Sequence, residues 1–190
     1  MIAYKGFDKD LSCTSSGNRF QYKLNQWNEE PEANCVKNGF HCAENPLDCL
    51  SYYPRWNESV YYVVLADGDI DEDGTDSKIA CTRMRLVKQL TLEEFIYMSL
   101  TYMVNHPHRK NANCVSNDID IKEGLRSGFK IVRGKNPKAS GNIGTIIGFA
   151  KEEVDSVEIE EISIITIDDE KFMSDVIYCV NGQESNGGII

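Results

Sequence analysis

The sequence predicts an α+β protein: an N-terminal mixed sheet with two helices, followed by a small antiparallel β-rich C-terminal module. Three observations carry this. A short apolar strand pattern from Gly39 to Glu44 runs directly into a helix signal, with Asn45 as N-cap and Pro46 at the first helical position. Ser59 to Ala66 is dense in β-branched and aromatic residues and reads as a central strand. Thr91 and Glu94 form a capping box ahead of an apolar stripe, with Leu90 and Phe95 placed as a hydrophobic staple.

In chain order, Ile2 to Phe7 is the first strand, closed by the polar turn Asp8-Lys9-Asp10. Ser15 to Asn18 is a loop, Arg19 to Leu24 alternates as a half-buried strand, and Asn25 to Asn34 is polar loop. The helix after Asn45 places Leu47, Leu50 and Tyr53 on one side and stops before Pro54. Ile79 to Val87 returns antiparallel to Ser59–Ala66, so the acidic residues between them form the tip of a long hairpin. The helix opened by Thr91 runs to about Val104, with Leu92, Phe95, Ile96, Leu100, Met103 and Val104 on its apolar side. From His106 to Lys138, eight Lys and Arg face three carboxylates and glycines recur, which predicts irregular structure. Strand patterns return at Gly144–Ala150, Val157–Ile167 and Val176–Val180. The expected organisation is an α+β domain over 1–105, a basic irregular linker over 106–139 and a β-rich module over 140–190.

Composition excludes several classes of function. The 190 residues carry a net charge of −10, which opposes independent binding to nucleic acid and favours a basic partner. No apolar run approaches the roughly 20 residues of a membrane span. The start lacks a signal-peptide core, and the seven cysteines are odd in number with no C-x-x-C pair. Reduced thiols and a cytoplasmic location are the expectation.

Two acidic groups stand out as partner-binding candidates. The first is Asp67, Asp69, Asp71, Glu72, Asp73 and Asp76 on the hairpin. The second is Glu152, Glu153, Glu158, Glu160 and Glu161, in a stretch where residues 152–170 hold nine carboxylates and no base. Asp69, Asp71 and Asp73 also match the front half of a calcium loop. Its twelfth position is Ala80, where a bidentate Glu is required, so no metal is expected. Cys35, Cys42 and Cys49, beside His41, lack the tight pairing of zinc ligands. His41 and Cys42, as strand neighbours, point to opposite faces.

Ile2-Ala3-Tyr4-Lys5-Gly6-Phe7, Gly39 to Asp48 with Tyr52-Tyr53, Gly68 to Asp73 and Ser77 to Ala80 together resemble an uncharacterised phage and prophage protein family of gut Firmicutes. The resemblance covers about residues 1–105, with a C-terminal β-rich module similar to 138–183. It implies a mobile-element origin and no defined activity. A fainter likeness is to ADP-ribosyltransferases. They are similar in an early aromatic–base–Gly element, here Tyr4-Lys5-Gly6, and in a Gly-aromatic strand entering a helix, here Gly39-Phe40-His41. The late acidic element of those enzymes has only Glu158-Ile159-Glu160 as a candidate, and there the alternation marks a solvent face.

The leading expectation is a non-enzymatic acidic protein that occupies a basic surface of a host defence nuclease, as an anti-CRISPR protein would. Its partner would be a CRISPR-associated nuclease with its guide RNA, and no cofactor is expected. The alternative is an ADP-ribosyltransferase-like enzyme or a NAD- or nucleotide-binding module built on Tyr4, Lys5, His41 and Tyr53.

Overall fold

The computed structural model of the chain describes residues 1–15, 17–35, 37–72, 77–121 and 128–185. Strand makes up 49% of the protein and helix 12%, so the class is α+β in a broad sense with sheet dominant. The chain divides into two compact units, Met1–Thr91 and Leu92–Ile190.

The first unit contains β1 (Ile2–Asp8), β2 (Ser12–Ser15), β3 (Asn18–Gln21), β4 (Trp27–Glu29) and β5 (Phe40–Ala43). A 3₁₀ helix (Pro46–Ser51), β6 (Ser59–Glu72) and β7 (Lys78–Gln89) complete it. The main sheet has the order β4-β7-β5-β1-β6, and β7 also pairs with β6, so β7, β5, β1 and β6 close into a ring. All these pairings are antiparallel, which corrects the expectation of a mixed N-terminal sheet. The reason is topological. β5 and β6 run in the same direction, but β1 lies between them and pairs with both.

Alternation along the strands fills the ring. Ala3 and Phe7 from β1, Tyr62, Val64 and Ala66 from β6, and Ile79 and Cys81 from β7 are buried in one core with Phe40 and Cys42. Phe7 meets Tyr22 and Tyr62 edge-on, at centroid distances of 4.9 and 5.7 Å. The helix is a single 3₁₀ segment, not a longer helix reaching Tyr53. Asn45 caps it as expected, its Oδ1 accepting the Leu47 N–H at 3.1 Å. With the tighter 3₁₀ winding, Pro46, Leu47 and Cys49 are buried, and Leu50 is only partly covered. The expected hairpin forms, with β6 ordered as strand through Glu72; Asp73 and Asp76 lie outside the described residues. β2 and β4 fall in stretches too polar to read as strands.

The second unit holds α1 (Leu92–Asn105), β8 (Val115–Asp120), β9 (Phe129–Ala139), β10 (Ile146–Glu152), β11 (Ile159–Thr166) and β12 (Tyr178–Cys179). Its sheet has the order β11-β10-β9-β12, with β8 also paired to β9. Residues 106–139 therefore contain two strands where irregular linker was expected. The basic residues that masked the pattern are held internally: Lys130 faces Asp120 at 3.2 Å, and Arg133 faces Glu152 at 2.8 Å. β9 runs parallel to both β8 and β10, so the C-terminal sheet is mixed; its β10–β11 and β9–β12 pairs are antiparallel. The helix α1 packs on β10 and β11, so the boundary falls before it at Thr91 and not at 105. Its buried Phe95, Ile96, Leu100 and Met103 need a sheet face. Gly148 on β10 supplies the close approach, since a Cβ there would sit 2.7 Å from the Ile96 methyl Cγ2. Within β11, a register shift opposite Lys151 and Glu152 explains why adjacent Glu160 and Glu161 are both exposed.

Candidate functional site

β1 and β5 share one register pair, Tyr4 with Ala43. Where the two strands part, a cleft of about 480 Å³ opens, lined by Tyr4, Lys5, His41, Tyr52, Tyr53 and Lys78 among others. That volume suits a small organic ligand. All four residues of the nucleotide reading, Tyr4, Lys5, His41 and Tyr53, are thus in one cleft.

Each wall has a physical cause. Gly6 lets Tyr53 lie flat against β1, because a Cβ at residue 6 would meet the Tyr53 ring at 2.6 Å from Cδ2. The Tyr53 carbonyl accepts the Tyr61 hydroxyl, which fixes the chain after the 3₁₀ helix. Asp48 Oδ2 accepts the Ser77 N–H at 3.0 Å and its Oγ–H at 2.6 Å, fastening that helix to the start of β7. At the mouth, Lys78 Nζ donates to the Tyr52 hydroxyl at 2.8 Å and lies 4.9 Å from the centre of its ring.

Lys5 is the unusual member. It shares the inward face of β1 with Ala3 and Phe7 and is only 6% exposed. Its ammonium donates to the His41 carbonyl at 2.7 Å and lies 5.3 and 5.4 Å from the ring centres of Phe7 and Tyr22. Burial raises the Tyr4 hydroxyl, with the Cys49 thiol adding to the effect, and burial is also the main cause for Tyr53 and Tyr61. These phenols remain protonated donors at neutral pH. Burial pushes the Cys49 thiol up to about 12, and Cys42 is raised by its hydrogen bond with Cys81 and then by burial. Neither thiol is primed for attack. None of the seven cysteines is in a disulfide.

The acidic candidates have a different fate. Asp67 pairs with Arg83 at 3.0 Å, and Asp71 Oδ2 accepts the Cys35 N–H at 2.7 Å. Asp69 and Glu72 are exposed on β6. Glu152 is committed to Arg133, Glu153 Oε2 accepts the Ser156 hydroxyl at 2.9 Å, Glu158 faces His108 at 3.4 Å and Glu160 faces Lys151 at 2.5 Å. Glu161 is exposed. Among the described residues no group of three or more His, Cys, Asp or Glu is placed to hold a metal ion. Of the calcium candidates Asp69, Asp71 and Asp73, the last lies outside the described residues.

Asp48, Tyr52 and Lys78 were not singled out as site residues by sequence, because their approach depends on the closure of β5 and β7. The Asn45 cap, which fixes where Asp48 points, is the one local signal that bears on them.

The first unit is a small closed antiparallel β domain with an aromatic-walled, largely apolar cleft on one side that carries a few charged groups. Residues 1–98 match the family described as domain of unknown function (DUF7666), and the chain belongs to that family. No curated protein and no solved structure matches the chain. Among the described residues, no helix is long and apolar enough to cross a membrane.

Proposed function

We propose that the first unit is a binding module for a ring-bearing anionic small molecule of the nucleotide class, with NAD as the first candidate. The observation that carries this is the meeting of Tyr4, Lys5, His41 and Tyr53 in one 480 Å³ cleft, with Lys78 and Tyr52 at its mouth. Tyrosine faces suit a flat ring, and two ammonium groups suit a phosphate. The reading is binding and not ADP-ribosyl transfer, because among the described residues no glutamate lines the cleft, and its carboxylates Asp8 and Asp48 accept from Ser12 and Ser77. Titration calorimetry with NAD tests it. Heat of binding that His41→Ala and Tyr4→Ala weaken supports the module, and no heat and no thermal shift at millimolar NAD refutes it.

A second reading keeps the acidic edge. Asp67 to Glu72 are exposed throughout, which suits docking on a basic surface of a nuclease from a host of the mobile element. Asp69→Lys with Glu72→Lys should weaken such capture and flatten its salt dependence; unchanged capture removes this reading.

A further inference from the structure

A buried cation ordinarily has a carboxylate beside it, because the cost of taking the charge out of water must be offset locally. Among the described residues, both other buried cations follow the rule: Lys130 faces Asp120, and Arg133 faces Glu152. Lys5, at 6% exposure, does not. Among the described residues its ammonium has one hydrogen-bond acceptor, the His41 carbonyl, and two aromatic rings, with no carboxylate in ion-pair reach. The carboxylates of the cleft are turned elsewhere. Asp48 accepts from Ser77, and Asp8 Oδ2 accepts from the Ser12 hydroxyl at 3.3 Å.

The geometry points to Lys5 as an anion seat whose missing counter-charge is supplied by the ligand, a phosphate or pyrophosphate group entering the cleft ahead of its ring. This rests on the reading of the cleft as a ligand site, and not on which nucleotide fills it. An ammonium has three donors, and the His41 carbonyl takes one of them. Phe7 and Tyr22 offer only π faces, which leaves donor capacity for phosphate oxygens. Lys78, held over Tyr52 at the mouth, lies where the rest of the ligand emerges. The unliganded domain therefore holds an ammonium in its core with a carbonyl and two ring faces but no counter-charge, an arrangement expected to lower its stability.

This gives the test two readouts of opposite sign. Lys5→Met keeps the length of the side chain and removes the charge. The carbonyl it leaves belongs to His41, a residue that lines the cleft. Without ligand, the thermal midpoint of Lys5→Met should rise above that of wild type. Inorganic pyrophosphate should raise the wild-type midpoint, and its affinity for Lys5→Met should fall roughly tenfold or more. A lysine kept only to satisfy the His41 carbonyl would behave otherwise: Lys5→Met and Lys5→Gln would both lower the midpoint, and that overturns the proposal. So does an equal pyrophosphate response in wild type and Lys5→Met, or no response in wild type at millimolar pyrophosphate. NAD binding that ignores Lys5→Met leaves the nucleotide module standing and removes the anion seat. A Lys5-dependent pyrophosphate response without NAD binding supports the seat and removes NAD as the occupant.

Discussion

Gly6→Ala isolates the contact that shapes the cleft. The new methyl carbon would lie 2.6 Å from Tyr53 Cδ2, 2.8 Å from Cγ and 3.0 Å from Cβ. Carbon atoms rest at about 3.5–4.0 Å, so the ring must withdraw by about 1 Å. Tyr53 cannot yield freely, since its carbonyl is held by the Tyr61 hydroxyl and Tyr61 is stacked on Trp56 at 4.6 Å. Overpacking of this kind costs about 1–3 kcal/mol. Urea denaturation followed by tryptophan fluorescence reads this unit specifically, because Trp27 and Trp56 are the only tryptophans and both lie within Met1–Thr91. The transition midpoint should fall with its slope unchanged. In a Tyr53→Ala background most of the cost of Gly6→Ala should vanish, giving a coupling energy of about 1 kcal/mol or more. A loss below about 0.5 kcal/mol, or the same loss in both backgrounds, would refute the steric account.

Three further outcomes follow from the same physical reasoning. Glu152→Ala leaves the guanidinium of Arg133 buried without its carboxylate, and should destabilise the second unit by about 3 kcal/mol in a denaturant titration; a surface-like loss would show that the Asn111, Pro107 and Val157 oxygens suffice. In native iodoacetamide labelling read by mass spectrometry, exposed Cys114 should react early, and Cys49, pushed up to about 12 by burial, should react only on unfolding. Asp168 accepts the backbone N–H groups of Phe172, Glu170 and Lys171, which holds its carboxyl below the usual 3.8. Its contribution is therefore present above that value and lost as pH falls through the folded one. Asp168→Asn should be less stable than wild type at neutral pH, and the gap should close in acid; a gap independent of pH would sink the assignment.

Local chemistry determined much of this protein in advance. The Asn45-Pro46 start, the long hairpin of β6 and β7, the limits of α1 and the strand beginning at Ile2 are encoded by side chains within a few residues of one another. So were four lining residues of the cleft, because Tyr4-Lys5-Gly6 and Gly39-Phe40-His41 are compact motifs. Tertiary structure alone decided the rest. β2 and β4 are strands because neighbours supply their hydrogen bonds, and β8 and β9 because carboxylates distant in sequence neutralise Lys130 and Arg133. The two acidic groups read in sequence as docking surfaces, but Asp67, Glu152 and Glu160 pair within the chain with Arg83, Arg133 and Lys151. Sequence marks Lys5 as a candidate through Tyr4-Lys5-Gly6, but does not show that its ammonium is buried. Only the closing of β7 onto β6 and β5 around it shows a charge buried among aromatic rings at the inner wall of a cleft, since burial is a property of what folds over a residue and not of the residue itself.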